Sequence, residues 1–155
     1  MPPLAVEQPV GIIGAGSFGT AIANLLAYNV DVLLYSRQPE LVDKINSEHR
    51  HLDVDLSKRV RATHEITEVC EQCTLIFPMV PSNNFRNMMR TFGPHLRPYH
   101  ILIHGTKGFD APELTANGTE KNKPLTREEV STMSEVIRQE SSVMRVGCLS
   151  GPNLA

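Results

Sequence analysis

The chain has 155 residues, enough for one domain with a single core, and its 41% hydrophobic and 21% charged content is that of an ordinary globular protein. A formal net charge of −2 argues against a broad nucleic-acid surface, which is normally basic, while leaving room for a local basic pocket around a phosphorylated ligand. The N-terminus lacks the basic and apolar regions of a signal peptide, the longest apolar stretch (75–80, interrupted by Pro78) is too short to span a membrane, and three cysteines suit a reducing compartment, so a cytoplasmic protein is expected.

In chain order, residues 10–13 form a short branched apolar run that predicts a buried parallel strand. A glycine turn, Gly14-Ala15-Gly16-Ser17-Phe18-Gly19, follows it. Phe18, Ile22, Leu25 and Leu26 then recur at helical spacing and predict a core-facing stripe. This strand, G-x-G-x-x-G and helix context points to a dinucleotide site. In it Gly14 permits the turn, Gly16 lets a pyrophosphate approach the backbone, and Gly19 lets the helix pack on the strand. The N–H groups from Ser17 onward would face the ligand with the positive end of the helix dipole.

A second strand is expected at 31–35, then a helix opening on Pro39 with Leu41, Val42 and Ile45 on one face. Residues 49–58 show little pattern and read as loop. A third strand at 59–63 leads to a helix over 65–72, and a fourth strand over 74–77 is closed by Pro78 and Pro81. Phe85, Met88, Met89 and Phe92 predict the buried stripe of the next helix, ended by Gly93-Pro94. The fifth strand is expected at 100–104 and a polar, exposed loop between Gly108 and Thr126. A capping box from Thr126 to Glu129 is expected to start a helix carrying Val130, Met133 and Ile137, and 143–149 is the sixth strand.

Six strands separated by helices specify an α/β fold: a doubly wound, mostly parallel sheet with helices on both faces. Ligands of such sheets lie beyond the carboxyl ends of the strands, so the residues just after each strand are the informative ones. An NAD site usually places an acid about 20 residues past the glycines, on the ribose hydroxyls. Here that spot holds Tyr35-Ser36-Arg37. Ser36 can bond ribose or phosphate and Arg37 can pair with a 2′-phosphate, so NADP(H) is expected to be accepted, alongside NAD(H). Arg37 as a plain surface charge is the alternative.

Lys107 follows the fifth strand directly, between Gly105 and Gly108, where a cation could meet a substrate oxygen or phosphate at the nicotinamide end of the cleft. His104 either lines that mouth or simply packs. Cys70 and Cys73 form one C-x-x-C at a predicted helix end rather than a helix start, which suits packing rather than redox chemistry. His49 and His51 lack further ligands, so no metal site is expected.

Taken together, several blocks resemble the NAD(P)-dependent glycerol-3-phosphate dehydrogenases of the bacterial type. They are Gly14 to Ala21, Ile45-Asn46-Ser47-Glu48-His49, Val80-Pro81-Ser82, Thr106-Lys107-Gly108-Phe109-Asp110 and Ser150-Gly151-Pro152-Asn153-Leu154-Ala155. The resemblance spans nearly the whole chain. It implies a Rossmann-type fold and hydride transfer between NAD(P)H and dihydroxyacetone phosphate, giving sn-glycerol 3-phosphate for phospholipid synthesis. It also implies that Ser17, Phe18, Arg37 and Ala155 contact the cofactor and that Lys107 contacts both cofactor and substrate. Gly151 and Asn153 would lie at the substrate.

The family's proton-donating lysine belongs to a helical second domain. Residues 1–155 are therefore expected to be the cofactor-binding fragment of a longer protein, inactive on its own, and a homodimer of the full-length protein is compatible with the resemblance. Departures are the polar insertion after Phe109, and His51 where the family often has asparagine. Two rival readings are a 6-phosphogluconate dehydrogenase-like enzyme and a non-enzymatic dinucleotide-sensing module.

Overall fold

A computed structural model describes residues 8–111 and 126–151. Six strands build the central sheet: β1 (Val10–Ile13), β2 (Val32–Tyr35), β3 (Val60–Thr63), β4 (Leu75–Pro78), β5 (Ile101–His104) and β6 (Arg145–Cys148). Their order across the sheet is β3-β2-β1-β4-β5-β6, and each neighbouring pair runs parallel. The order reverses between β1 and β4, which opens a crevice at their carboxyl ends.

Alternation along the strands sends side chains into two cores, one on each face. Ile13 and Leu33 meet Phe85, Met89, Phe92, Val136 and Ile137 on one side. Ile12, Val32 and Leu34 meet Ala23, Ala27, Val42 and Ile45 on the other. The expected helices are α1 (Ser17–Leu26), α2 (Pro39–Glu48), α3 (Ile66–Gln72), α4 (Ser82–Phe92) and α5 (Met133–Glu140). The predicted stripe on α4 is seated as expected, with Phe85, Met89 and Phe92 fully buried and Met88 half-buried.

Four expectations need correction. On α1 the buried face is Gly19, Thr20 and Ala23, while Leu25 is 62% exposed. The helix lies so close to the sheet that only small residues fit between them, and Phe18, Ile22 and Leu26 flank the contact half-buried.

Residues 49–58, read as loop, contain an antiparallel hairpin in which Arg50 pairs with Asp55 and His51 with Val54. Its turn residues Leu52 and Asp53 both take positive φ (51° and 58°), the demand of a tight primed turn usually met by Asn-Gly. That missing signal is why the hairpin escaped the pattern.

The capping box at Thr126 closes only a 3₁₀ turn, Arg127–Glu129. The helix begins at Met133 under a second box in which Thr132 and Glu135 exchange bonds, so Val130 lies outside it. The cause is tertiary: Ser131 and Thr132 are drawn into antiparallel pairing with Asp110 and Phe109 before the helix can start. The sixth strand is also shorter than expected, though Val143 stays in the core. Most of the polar segment between Gly108 and Thr126 lies outside the described residues.

Candidate functional site

The turn after β1 sits at the switch point. Gly14 has φ of +116°, and a Cβ there would stand 2.6 Å from the Met79 carbonyl oxygen. A Cβ on Gly19 would stand 1.9 Å from the Gly14 carbonyl oxygen, so the start of α1 is pressed onto the turn. Gly16 differs from both. A Cβ there would meet nothing within 4 Å, so the chain itself leaves that side open. Gly16 is also the N-cap of α1, no side chain caps the helix, and the first turn carries no acid. The N–H groups of Ser17 and its neighbours are thereby offered to an outside anion at the positive end of a ten-residue helix.

Beside the glycine turn lies a cleft of about 610 Å³ lined by Gly14, Ala15, Tyr35, Ser36 and Arg37 on one wall and by Asn84, Asn87 and Met88 of α4 on the other. Arg37 is exposed at its rim. Ser36 is buried, and its hydroxyl oxygen accepts the Gln38 N–H at 3.3 Å, which fixes the turn into α2. The α4 wall was not legible in the sequence. Asn84 and Asn87 had no motif to mark them, and only the packing of Phe85 and Met89 turns them toward the cleft.

On the other side of the turn, Gly105 lies under Phe18 and Met79; a Cβ there would be 2.7 Å from the Phe18 ring and 2.5 Å from the Met79 sulfur. This contact joins the glycine turn to the segment that carries Lys107. A second recess of about 430 Å³ opens there, lined by His104, Thr106, Lys107, Gly108, Ser134 and Ser150 among others. Gly151 follows Ser150, and Asn153 and Ala155 lie outside the described residues.

His104 is 5% exposed, with its Nε2 2.9 Å from the Ser134 hydroxyl, and burial lowers its pKa. It lines the recess and packs edge-on against Phe85, so both expectations for it hold in part. His51, by contrast, reaches back from the hairpin. Its Nε2–H donates to the Ala15 carbonyl at 2.8 Å and braces the glycine turn.

Cys70 and Cys73 are buried free thiols, with burial pushing them up to about 11 and about 12. Their place in the core, with Val69 and Phe92, is that of small apolar groups. Among the described residues no three His, Cys, Asp or Glu side chains gather as a metal site would require, and no helix is long and apolar enough to cross a membrane.

These parts suit a dinucleotide. They are an uncapped helix start with an open side at Gly16, a cleft beside it and a second recess beside Lys107.

The same conclusion comes from relatives. Residues 9–155 match the family described as NAD-dependent glycerol-3-phosphate dehydrogenase N-terminus. A glycerol-3-phosphate dehydrogenase [NAD(P)+] of Pseudomonas savastanoi is 35% identical over 98% of this chain and 41% of its own length. One from Methanothermobacter thermautotrophicus is also 35% identical, over 94% of this chain and 42% of its own. The chain thus spans about two fifths of the length of these relatives.

Among solved structures, glycerol-3-phosphate dehydrogenase from Coxiella burnetii superposes with a TM-score of 0.74 at 25% identity, covering 96% of this chain and 42% of that one. With its parallel sheet in the order of a Rossmann domain and its glycine turn at the switch point, this chain belongs to the NAD-dependent glycerol-3-phosphate dehydrogenase N-terminal family.

Proposed function

We propose that this chain is the dinucleotide-binding part of an NAD(P)-dependent enzyme that interconverts dihydroxyacetone phosphate and sn-glycerol 3-phosphate, a step toward glycerophospholipids. The observation that carries the reading is the family match across residues 9–155 on a chain whose glycine turn keeps the Gly16 side open. A bound dinucleotide would supply or accept the hydride that links the ketone and the secondary alcohol.

The chain's own residues bind and orient. The backbone at Gly14, Gly16, Ser17 and Phe18, with Gly19 behind it, holds the diphosphate, and Ser36 and Arg37 take the ribose end. Lys107 brings a cation to the oxygen on which negative charge gathers during the reaction, where a fixed charge lowers the barrier. Gly151 and Asn153 complete the substrate side, and Ala155 lies at the cofactor. The proton donor is not among these residues and is assigned to a second domain like that of the family. The reading needs a small phosphorylated substrate and no nucleic acid, and it places the complete enzyme, as a homodimer, in the cytoplasm.

The test is a fluorescence titration of the chain with NADPH and with NADH, followed by an assay for dihydroxyacetone phosphate reduction. Saturable binding of at least one dinucleotide with no turnover by the isolated chain is expected. Absence of binding to either removes the reading, and turnover by the isolated chain removes its division of labour.

A further inference from the structure

Lys107 sits in a loop, yet the loop is tied down on both sides. Before it, the Thr106 hydroxyl donates to the Val80 carbonyl at 2.6 Å. After it, Gly108 turns at φ of +108° with its α-carbon face against Ser82, the first residue of α4. The chain then enters the short pairing of Phe109 and Asp110 with Thr132 and Ser131.

The second tie is ionic. Arg86 of α4 donates from Nε to Asp110 Oδ2 at 2.6 Å, from one terminal nitrogen to Glu140 Oε1 at 2.5 Å and from the other to Gln139 Oε1 at 2.8 Å. Arg90 adds a contact to the same Glu140 oxygen at 3.4 Å. All three core members are well shielded, with side-chain exposures of 14%, 13% and 18% for Arg86, Asp110 and Glu140. Such shielding strengthens the pairing and holds it in one geometry. Two separate links therefore diverge from one guanidinium. One goes to the loop that carries Lys107, the other across to α5.

We propose that Arg86, through its ion pair with Asp110, holds the Lys107 loop over its recess, so that Arg86 and Asp110 are positioning residues for the nicotinamide half of the site. This rests on the assignment of Lys107 to that half. α4 then serves both ends of the ligand: Asn84 and Asn87 wall the adenosine cleft while Arg86, on another side of the helix, secures Lys107.

The design of the fork supplies the test. Asp110→Ala cuts only the tie to the loop and leaves Arg86 bonded to Glu140 and Gln139; Glu140→Gln weakens only the tie to α5. In NADPH titrations of the chain, Asp110→Ala should weaken binding about ten- to hundredfold, the size of one charge-assisted contact. Binding of adenosine 2′,5′-bisphosphate, which fills only the adenosine half, should stay within about twofold, and Glu140→Gln should spare both ligands to the same degree. Lys107→Ala should match the Asp110→Ala loss, and the double variant should lose less than about twofold more than Lys107→Ala alone.

Wild-type NADPH binding by Asp110→Ala, equal losses for both ligands, or losses that multiply with Lys107→Ala would each overturn the proposal. A silent Lys107→Ala would overturn the assignment of Lys107 and the proposal with it. An impaired Lys107→Ala beside a silent Asp110→Ala would overturn only the positioning role. If Asp110→Ala does not fold, Arg86→Lys keeps the charge but loses the fork, and the same pattern is expected of it.

Discussion

Replacing Gly16 with alanine should separate ligand binding from folding, because the structure leaves the added methyl in open space, on the side proposed for the ligand. Gly16 has φ of −77° and ψ of −179°, an extended conformation that alanine adopts freely, and the new carbon meets nothing within 4 Å. Alanine is a poorer N-cap than glycine by about 0.5–1 kcal/mol. Against this, a stiffer unfolded chain returns about 0.4–1 kcal/mol. The two nearly cancel, so the melting temperature should move by less than about 2 °C in a domain of this size.

Binding should respond differently. The methyl stands in the proposed path of a diphosphate to the first N–H groups of α1, and loss of one charge-assisted hydrogen bond costs about 1.5–3 kcal/mol. That corresponds to a roughly ten- to hundredfold rise in Kd. Thermal melting followed by circular dichroism and an NADPH titration on the same samples measure both quantities. An alanine variant that binds NADPH as tightly as wild type would refute the placement of the diphosphate at this turn.

Gly19→Ala should do the reverse, since its Cβ would lie 1.9 Å from the Gly14 carbonyl, a backbone atom that cannot swing away. Overpacking of this kind costs about 3 kcal/mol or more and should lower the melting temperature by about 6–12 °C, so an unchanged urea midpoint would contradict the packing. Arg37→Ala should weaken NADPH by about 1.5–3 kcal/mol and NADH far less; equal losses would make Arg37 a plain surface charge.

Glu135 offers a pH test. Bonds from the Thr132 N–H and then from Arg127 hold its carboxyl down at about 2, below its ordinary value of 4.5. The unfolded chain therefore binds the proton first, and the stability from this group is full above about pH 4.5 and lost as pH falls toward about 2. Glu135→Gln should flatten that part of the acid-unfolding profile. Parallel urea midpoints for both proteins across this window would show the bonds to be absent in solution.

The glycine turn, the buried strands and the α4 stripe were legible because each depends on local periodicity or on a backbone demand that one residue type meets. Leu25 misled for a reason internal to the same motif. Its spacing is that of a core residue, but the close seat that Gly19 permits turns the face of α1 toward Ala23 and Ala27 and leaves Leu25 in water. The hairpin at 50–55 used Leu52 and Asp53 where a primed turn normally carries Asn or Gly, so nothing local announced it. Asn46 stood in a recognised block without an evident role. In the fold its amide donates to the Ala62 carbonyl and accepts the Ala62 N–H, which satisfies the outer edge of β3.

The residue order by itself determined that this is a parallel α/β domain with a glycine turn leading into its first helix, because strand alternation, helix period and glycine geometry are all short-range properties. Tertiary structure alone decided where α5 begins, which α4 residues wall the cleft, and that Arg86 grips Asp110 and Glu140, residues 24 and 54 positions away. Those features arise from elements that meet only when the two cores close, and no window along the chain is wide enough to contain them.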